Sequence, residues 1–193
     1  MINFSIYLSG VGGQGIGLLS ETILRAADHA GHTVKAVDTH GLAQRGGIVV
    51  SQIRMGSDVH SPLISMHKAD LVVSLERHEA LRATARFAKE KSTLIYYNTV
   101  WQPLDVRLGR IPQVSTEAIQ SFCRKRSVRI IEVFHPELEE ARMQNVALLA
   151  GIDREGLIPN IESRHYRRAL EDLMTGNTLK KNLALYESQR SAP

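Results

Sequence analysis

The sequence predicts an α/β protein built as three layers, α/β/α, with a Rossmann-like start, a mixed but mostly parallel sheet, and closing C-terminal helices. Three observations predict it. A β-rich run, Phe4–Leu8, passes directly into a glycine turn and then into a helical pattern. Strand-like and helical stretches then alternate along the chain, as crossover units require. Finally, Ala69–Leu75 is a mostly apolar run, suited to a strand buried on both faces.

Length and composition bound the rest. With 193 residues, 43% of them hydrophobic, a single domain over 1–193 is expected, with ample material for a core. Aromatic residues make up only 5%, which argues against a β-sandwich rich in Trp and Tyr. No apolar run approaches the roughly 18 residues of a membrane span. The chain enters a strand without a basic leader or cleavage site, so a cytoplasmic protein is expected, with no membrane association. The formal charge is +4, and the basic residues are spread along the sequence without interleaved aromatics, so no nucleic-acid partner is expected. Cys123 is the one cysteine; it sits in a helical pattern with Ala118, Ile119 and Phe122 and reads as a small buried thiol. One thiolate cannot hold an iron–sulfur cluster, which needs four.

The first motif is Gly10-Val11-Gly12-Gly13-Gln14-Gly15, which fits G-x-G-x-x-G with Gly13 as a fourth glycine. Ile16, Leu19, Ile23 and Ala27 follow at helical spacing, and Gly31 ends that helix. Such a turn lets bare N–H groups and the positive end of a helix approach a phosphate or carboxylate. Gly10, Gly12, Gly13, Gln14 and Gly15 are therefore candidate cofactor-binding residues. The alternative is a turn that only packs the first helix closely on its strand. Thr33–Asp38 reads as the second strand. Asp38 lies 23 residues beyond Gly15, near where a dinucleotide fold places its ribose-binding acid; an acid closing a strand is the other reading. His29 and His32 flank the helix end, where a histidine meets the last carbonyls.

The second motif is Thr39-His40-Gly41-Leu42-Ala43-Gln44-Arg45-Gly46-Gly47, without apolar period and so a loop. Beside a glycine turn, a loop this rich in directional hydrogen-bonding groups is where α/β proteins bind ligands. Arg45 can grip a carboxylate or phosphate with its planar fork, and His40 can shuttle a proton or donate a hydrogen bond. His40, Gln44 and Arg45 are the candidate catalytic residues; docking of a neighbouring subunit is the competing role for the loop.

Ile48–Arg54 reads as a strand, Met55–Asp58 as a turn, and Val59–Ile64 as a short extended piece, together a hairpin that makes the sheet mixed. After the Ala69–Leu75 strand, Glu76 and Glu79 open a helix with Leu81 and Ala85 inward and Arg77, Arg82, Arg86 and Lys89 outward. Glu76, at a strand's carboxyl end, is a functional candidate as well as a helix-start acid. Thr93–Tyr97 is another strand, followed by a loop with the lone Trp101, either interface anchor or local core. Ser115 caps a helix to about Arg126, and Val128–Val133 is a strand. Pro136 marks a helix start, with Ala141, Asn145, Val146, Leu149 and Ala150 following, until Gly151 and Gly156 break the pattern. A helical pair at about 163–188, split by Gly176-Asn177, closes the chain.

Taken together, Gly-Val-Gly-Gly-Gln-Gly and His-Gly-Leu-Ala-Gln-Arg-Gly-Gly, ahead of a strand ending Ile53-Arg54-Met55-Gly56, resemble the gamma-type domain of 2-oxoacid:ferredoxin oxidoreductases. The likeness is strongest to the beta-subunit type of indolepyruvate ferredoxin oxidoreductase. It continues through Ser61–Ile64, Ala69-Asp70, Glu76, Glu79–Leu81, Asn145-Val146 and the closing helices, nearly the whole chain. The resemblance implies a subunit inactive alone, working as a hetero-oligomer with a larger alpha subunit. Thiamine diphosphate, Mg and 4Fe–4S clusters are expected on that partner, with coenzyme A as cosubstrate and ferredoxin as acceptor through the complex. This chain carries no Gly-Asp-Gly followed 25–30 residues later by Asn-Asn, the pattern resembling a thiamine diphosphate site. Two alternatives stand beside it: a stand-alone NAD(P)-binding oxidoreductase, and a non-catalytic binding or assembly module of the same fold.

Overall fold

The computed structural model describes residues 3–40, 47–101, 106 and 108–192. Its strands are β1 Phe4–Val11, β2 Val34–His40, β3 Ile48–Met55, β4 Ala69–Ser74, β5 Ala88–Tyr97 and β6 Arg129–Val133. The helices are α1 Ile16–His29, α2 Arg77–Phe87, α3 Thr116–Lys125, α4 Gln144–Arg154, α5 Ser163–Leu173 and α6 Gly176–Arg190, with a 3-10 turn Ala141–Met143 leading into α4. The strands form one sheet in the order β2-β3-β1-β4-β5-β6. Strands β1, β4, β5 and β6 are parallel neighbours, while β3 runs antiparallel to both β1 and β2.

Alternation along the central strands sends side chains to two cores, which is why those strands read as apolar throughout. Ile6, Leu8, Leu71, Val73, Ile95 and Tyr97 face one side with residues of α1, α4, α5 and α6. Tyr7, Val72, Leu94 and Tyr96 face the other with Ala80 and Ala83 of α2 and Ile119 and Cys123 of α3. The closing helices are tied back to the first, for His29 Nε2 lies 2.7 Å from Asp172 on α5. His29 thus meets a carboxylate of another helix, not carbonyls at the end of its own.

The sheet is mixed, as expected, but its hairpin lies elsewhere. Strand β2 runs on through Thr39 and His40, and β3 pairs with it from His40↔Val49 to Val34↔Met55. The segment 59–64 forms no strand, and Ile64 is buried with its N–H on Gln52 Oε1 at 2.7 Å. The reversal therefore falls between β2 and β3, and not at the Met55–Asp58 turn. Three helical expectations also change. The inward face of α2 is Ala80, Ala83 and Thr84, with Leu81 and Ala85 only half-buried. Pro136 precedes α4 by several residues, outside any helix. Gly151 lies within α4, where an added Cβ would stand 3.1 Å from both Ile95 and Val133, so it permits close approach of helix to sheet. Trp101 is 37% exposed and no core residue.

Candidate functional site

The glycine turn joins β1 to α1 at the carboxyl edge of the parallel strands, and each of its residues has a different task. A Cβ on Gly10 would lie 2.7 Å from Ile16 Cδ1 and 3.1 Å from Leu75 Cβ, so this glycine serves packing. Gly12 donates its N–H to the carbonyl of Gly47 at 2.8 Å, anchoring the turn to the residue just ahead of β3. Gly13, at φ 104°, is exposed with open space around its Cα, and Gly15, at φ 82°, is left-handed. A Cβ on Gly15 would sit 2.5 Å from Asn145 Nδ2, whose amide donates to the Gly15 carbonyl at 3.1 Å. Asn145 opens α4 and so fixes the turn from the far side of the sequence.

Gln14 turns inward. Its side chain is fully buried, accepting the Val11 N–H and donating to the Leu75 carbonyl, both at 2.8 Å. It staples the turn to the end of β4 and offers nothing outward, a correction to its expected place among ligand-binding groups. Asp38 also moves. Because β3 is inserted, Asp38 stands on the outermost strand, two inter-strand spacings or about 10 Å from β1. Its Oδ1 accepts from Ser20 Oγ at 3.5 Å, itself 2.6 Å from Ser51 Oγ. A ribose acid belongs on the strand beside the glycine turn, so the dinucleotide alternative loses its geometry. His40 closes β2 opposite Val49. Gln44 and Arg45 lie outside the described residues.

What remains open is the start of α1. No side chain caps it, and its first turn holds no acidic residue. The first helical bond is Leu19 N–H to the Gly15 carbonyl, so the N–H groups of Ile16, Gly17 and Leu18 have no acceptor within the helix. In front lies a pocket of about 320 Å³, lined by turn residues 11–13 and 15–17, by Val49, and by Arg142 from the 3-10 turn. Backbone donors and a helix dipole meet one cavity that Arg142 also lines, an arrangement suited to an anion. Sequence reading missed Arg142, since nothing local marks a residue more than a hundred positions from the turn it faces.

The neighbouring strand end is built differently. Glu76 caps α2 by accepting the Glu79 N–H, and its other oxygen, Oε2, is buried without a partner. Burial pushes its carboxyl up to about 7. Burial also raises Glu79, which is paired with Arg82, and lowers His78, with the Arg77 charge adding to the latter. Next to these, Ile48, Leu81, Ala85 and Ile111 line a largely apolar recess of about 350 Å³. Among the described residues, no group of three or more His, Cys, Asp or Glu is placed to hold a metal ion, and no helix is long and apolar enough to cross a membrane.

Comparison with known proteins agrees with this architecture. Residues 5–191 match the model of a family described as pyruvate ferredoxin/flavodoxin oxidoreductase. The indolepyruvate oxidoreductase subunit IorB of Archaeoglobus fulgidus is 41% identical over 140 residues, 72% of this chain and 68% of that protein. Its counterpart from Methanothermobacter thermautotrophicus is 37% identical over 126 residues, 65% of this chain and 63% of that one. Among solved structures, pyruvate oxidoreductase subunit PORC of Thermotoga maritima superposes with a TM-score of 0.68 at 18% identity, covering 98% of this chain and 96% of the other. The 2-oxoglutarate:ferredoxin oxidoreductase of Magnetococcus marinus, solved with 2-oxoglutarate, coenzyme A and succinyl-CoA bound, gives a TM-score of 0.69 at 18% identity, covering 99% of this chain and 31% of that one. At that identity, both structures speak to the fold alone.

Proposed function

The chain belongs to the pyruvate ferredoxin/flavodoxin oxidoreductase family, and from that premise we propose that it is the non-cluster-bearing subunit of a 2-oxoacid:ferredoxin oxidoreductase. Its substrate class is an aryl pyruvate such as indolepyruvate, in keeping with the IorB relatives. A larger alpha subunit carries thiamine diphosphate, magnesium and the iron–sulfur clusters. The complex oxidatively decarboxylates the 2-oxo acid, passes electrons to ferredoxin and transfers the acyl group to coenzyme A.

One observation carries this chain's own part, the uncapped start of α1 facing a pocket that also holds Arg142. That pocket suits a phosphate of coenzyme A, which would find the Ile16 and Gly17 N–H groups there and draw in the Arg142 side chain. Gly47, bonded to Gly12, stands two positions beyond Arg45 in the sequence. On this reading Arg45 grips a second anionic oxygen, while Gln44 and His40 orient the cosubstrate by hydrogen bonds. None of them forms or breaks a bond to the 2-oxo acid. Ile48 (39% exposed), Trp101, Ile111 (46%) and Phe134 (58%) bare apolar surface near the same edge of the sheet, where the alpha subunit would cover it.

The test is co-purification from native extract with this chain as bait, then crystallography of the assembly soaked with coenzyme A. A larger subunit bearing thiamine diphosphate and iron, with the cosubstrate's phosphates beside Arg45 and Arg142, is the expected outcome. A clean monomer or homo-oligomer that binds NADH, or coenzyme A found far from both arginines, would overturn the reading.

A further inference from the structure

We propose that the opposite, amino-terminal edge of the parallel sheet is a docking surface for an acidic segment of a partner protein. The inference is independent of the function proposed above, since it uses none of the glycine-turn residues. Strands β4, β5 and β6 are consecutive and parallel, so the segments entering them meet along one edge. All three segments are basic. His67 and Lys68 precede β4, Lys89 and Lys91 lie at the start of β5, and Arg124, Lys125 and Arg126 precede β6. In β5 the register helps, because Ala88 pairs with Ala69 while Thr93 pairs with Leu71. Five positions of one strand thus oppose two of the other, and the surplus carries Lys89, Glu90 and Lys91 out to solvent.

Lys68, Lys89, Lys125 and Arg126, with His67 and Glu90, surround a concavity of about 650 Å³. Lys68 and Lys89 also border a second concavity of about 420 Å³ that continues to Arg54 at the far end of β3. The two make one groove crossing four inter-strand spacings, about 19 Å, which matches roughly six residues of extended chain. Its charges do not balance. Arg54, Lys68, Lys89, Lys125 and Arg126 line it against the carboxylates of Asp70 and Glu90, and Asp70 is already engaged by Lys89 and the Ser5 N–H.

The backbone supplies an independent observation. Four described non-glycine residues have positive φ, and three of them, His67 (57°), Lys91 (59°) and Ser127 (54°), lie on this edge. Glycine would relieve each position, yet side chains are kept there. Arg126 Nη2 lies 3.0 Å from His67 Nδ1, linking two of the three segments. All the lysines are exposed and spread along the groove, which suits a run of carboxylates better than a single compact ligand. No Phe, Tyr or Trp lines it, so the stacking platform that single-stranded nucleic acid needs is missing.

The experiment measures anisotropy of a fluorescein-labelled deca-glutamate peptide with the full-length chain, at low and at physiological salt. Lys68→Glu/Lys125→Glu is compared with Arg164→Glu/Arg168→Glu, an equal charge change on exposed positions of α5. Circular dichroism melts check that both variants fold. The expected result is saturable binding that weakens at least about tenfold in the edge variant, changes little in the α5 variant, and fades as salt rises. Absence of wild-type binding, equal loss in both variants, or tighter binding of polyphosphate or duplex DNA at this edge would overturn the proposal.

Discussion

Helices α1 and α2 spring from neighbouring parallel strands, β1 and β4, at the same edge of the sheet, yet their first turns are finished in opposite ways. α1 begins at a left-handed glycine, with no side-chain cap and no acid in its first turn. α2 begins at a buried carboxylate that takes the Glu79 N–H, with Glu79 in turn held by Arg82. Both ends carry the same partial positive charge. In α2 the protein takes up the first-turn donors internally, whereas in α1 it leaves backbone donors at a pocket that Arg142 also lines. The difference teaches where an external anion belongs. Of these two helix starts, only α1 still has donors to offer.

The strongest way to break the comparison is to spoil the geometry that keeps α1 open. Gly10→Val, which drives a side chain into Ile16 and Leu75, should cost about 3 kcal/mol of stability in urea unfolding. Gly13→Ala, with open space but φ 104°, should cost only about 1–2 kcal/mol, the backbone part alone. Comparable losses would mean that packing under the turn matters less than its backbone.

The sealed end is tested by pH. Glu76 in the folded chain holds its proton up to about 7, against an ordinary 4.5. A carboxyl whose folded pKa is raised favours the folded state fully below the unfolded value. That contribution falls as pH rises from 4.5 to 7 and is gone above it. Wild-type stability should therefore drop by up to about 3 kcal/mol across that window, and Glu76→Gln should flatten the profile. Parallel profiles for the two proteins would place the titration elsewhere.

The open end is tested by charge. Arg142→Ala in a reconstituted complex should raise the KM for coenzyme A about 10- to 100-fold, the worth of one charge-assisted phosphate contact, without unfolding the chain. Ser115→Ala serves as a reference for an ordinary helix start, since Ser115 Oγ accepts the Ala118 N–H at 3.2 Å. It should cost about 1 kcal/mol of stability and leave that KM unchanged.

Much of this contrast is legible in the sequence, for a physical reason. The glycine turn and the Glu76–Glu79 start are local, their chemistry written within a few consecutive residues. What escapes is non-local. Asn145 reaches Gly15 across 130 positions, and Arg142 comes with it. Lys68, Lys89 and Lys125 look scattered along the chain until the parallel order of β4, β5 and β6 gathers them. The sequence points to the wrong pair for the hairpin because Met55–Asp58 has turn chemistry, while β2 hides its last residues, Thr39 and His40, in a polar stretch that reads as loop. Gly151 reads as a helix breaker because its reason for being small is a contact with β5 and β6.

The most direct test of the central claim is a coenzyme A titration of the assembled enzyme, comparing wild type with Arg45→Ala and Arg142→Ala. The account predicts that the subunits still associate, that activity at subsaturating coenzyme A falls well below wild type in both variants, and that excess cosubstrate recovers part of it. Wild-type titration curves from both variants would show that the open end of α1 is not where the cosubstrate meets this chain.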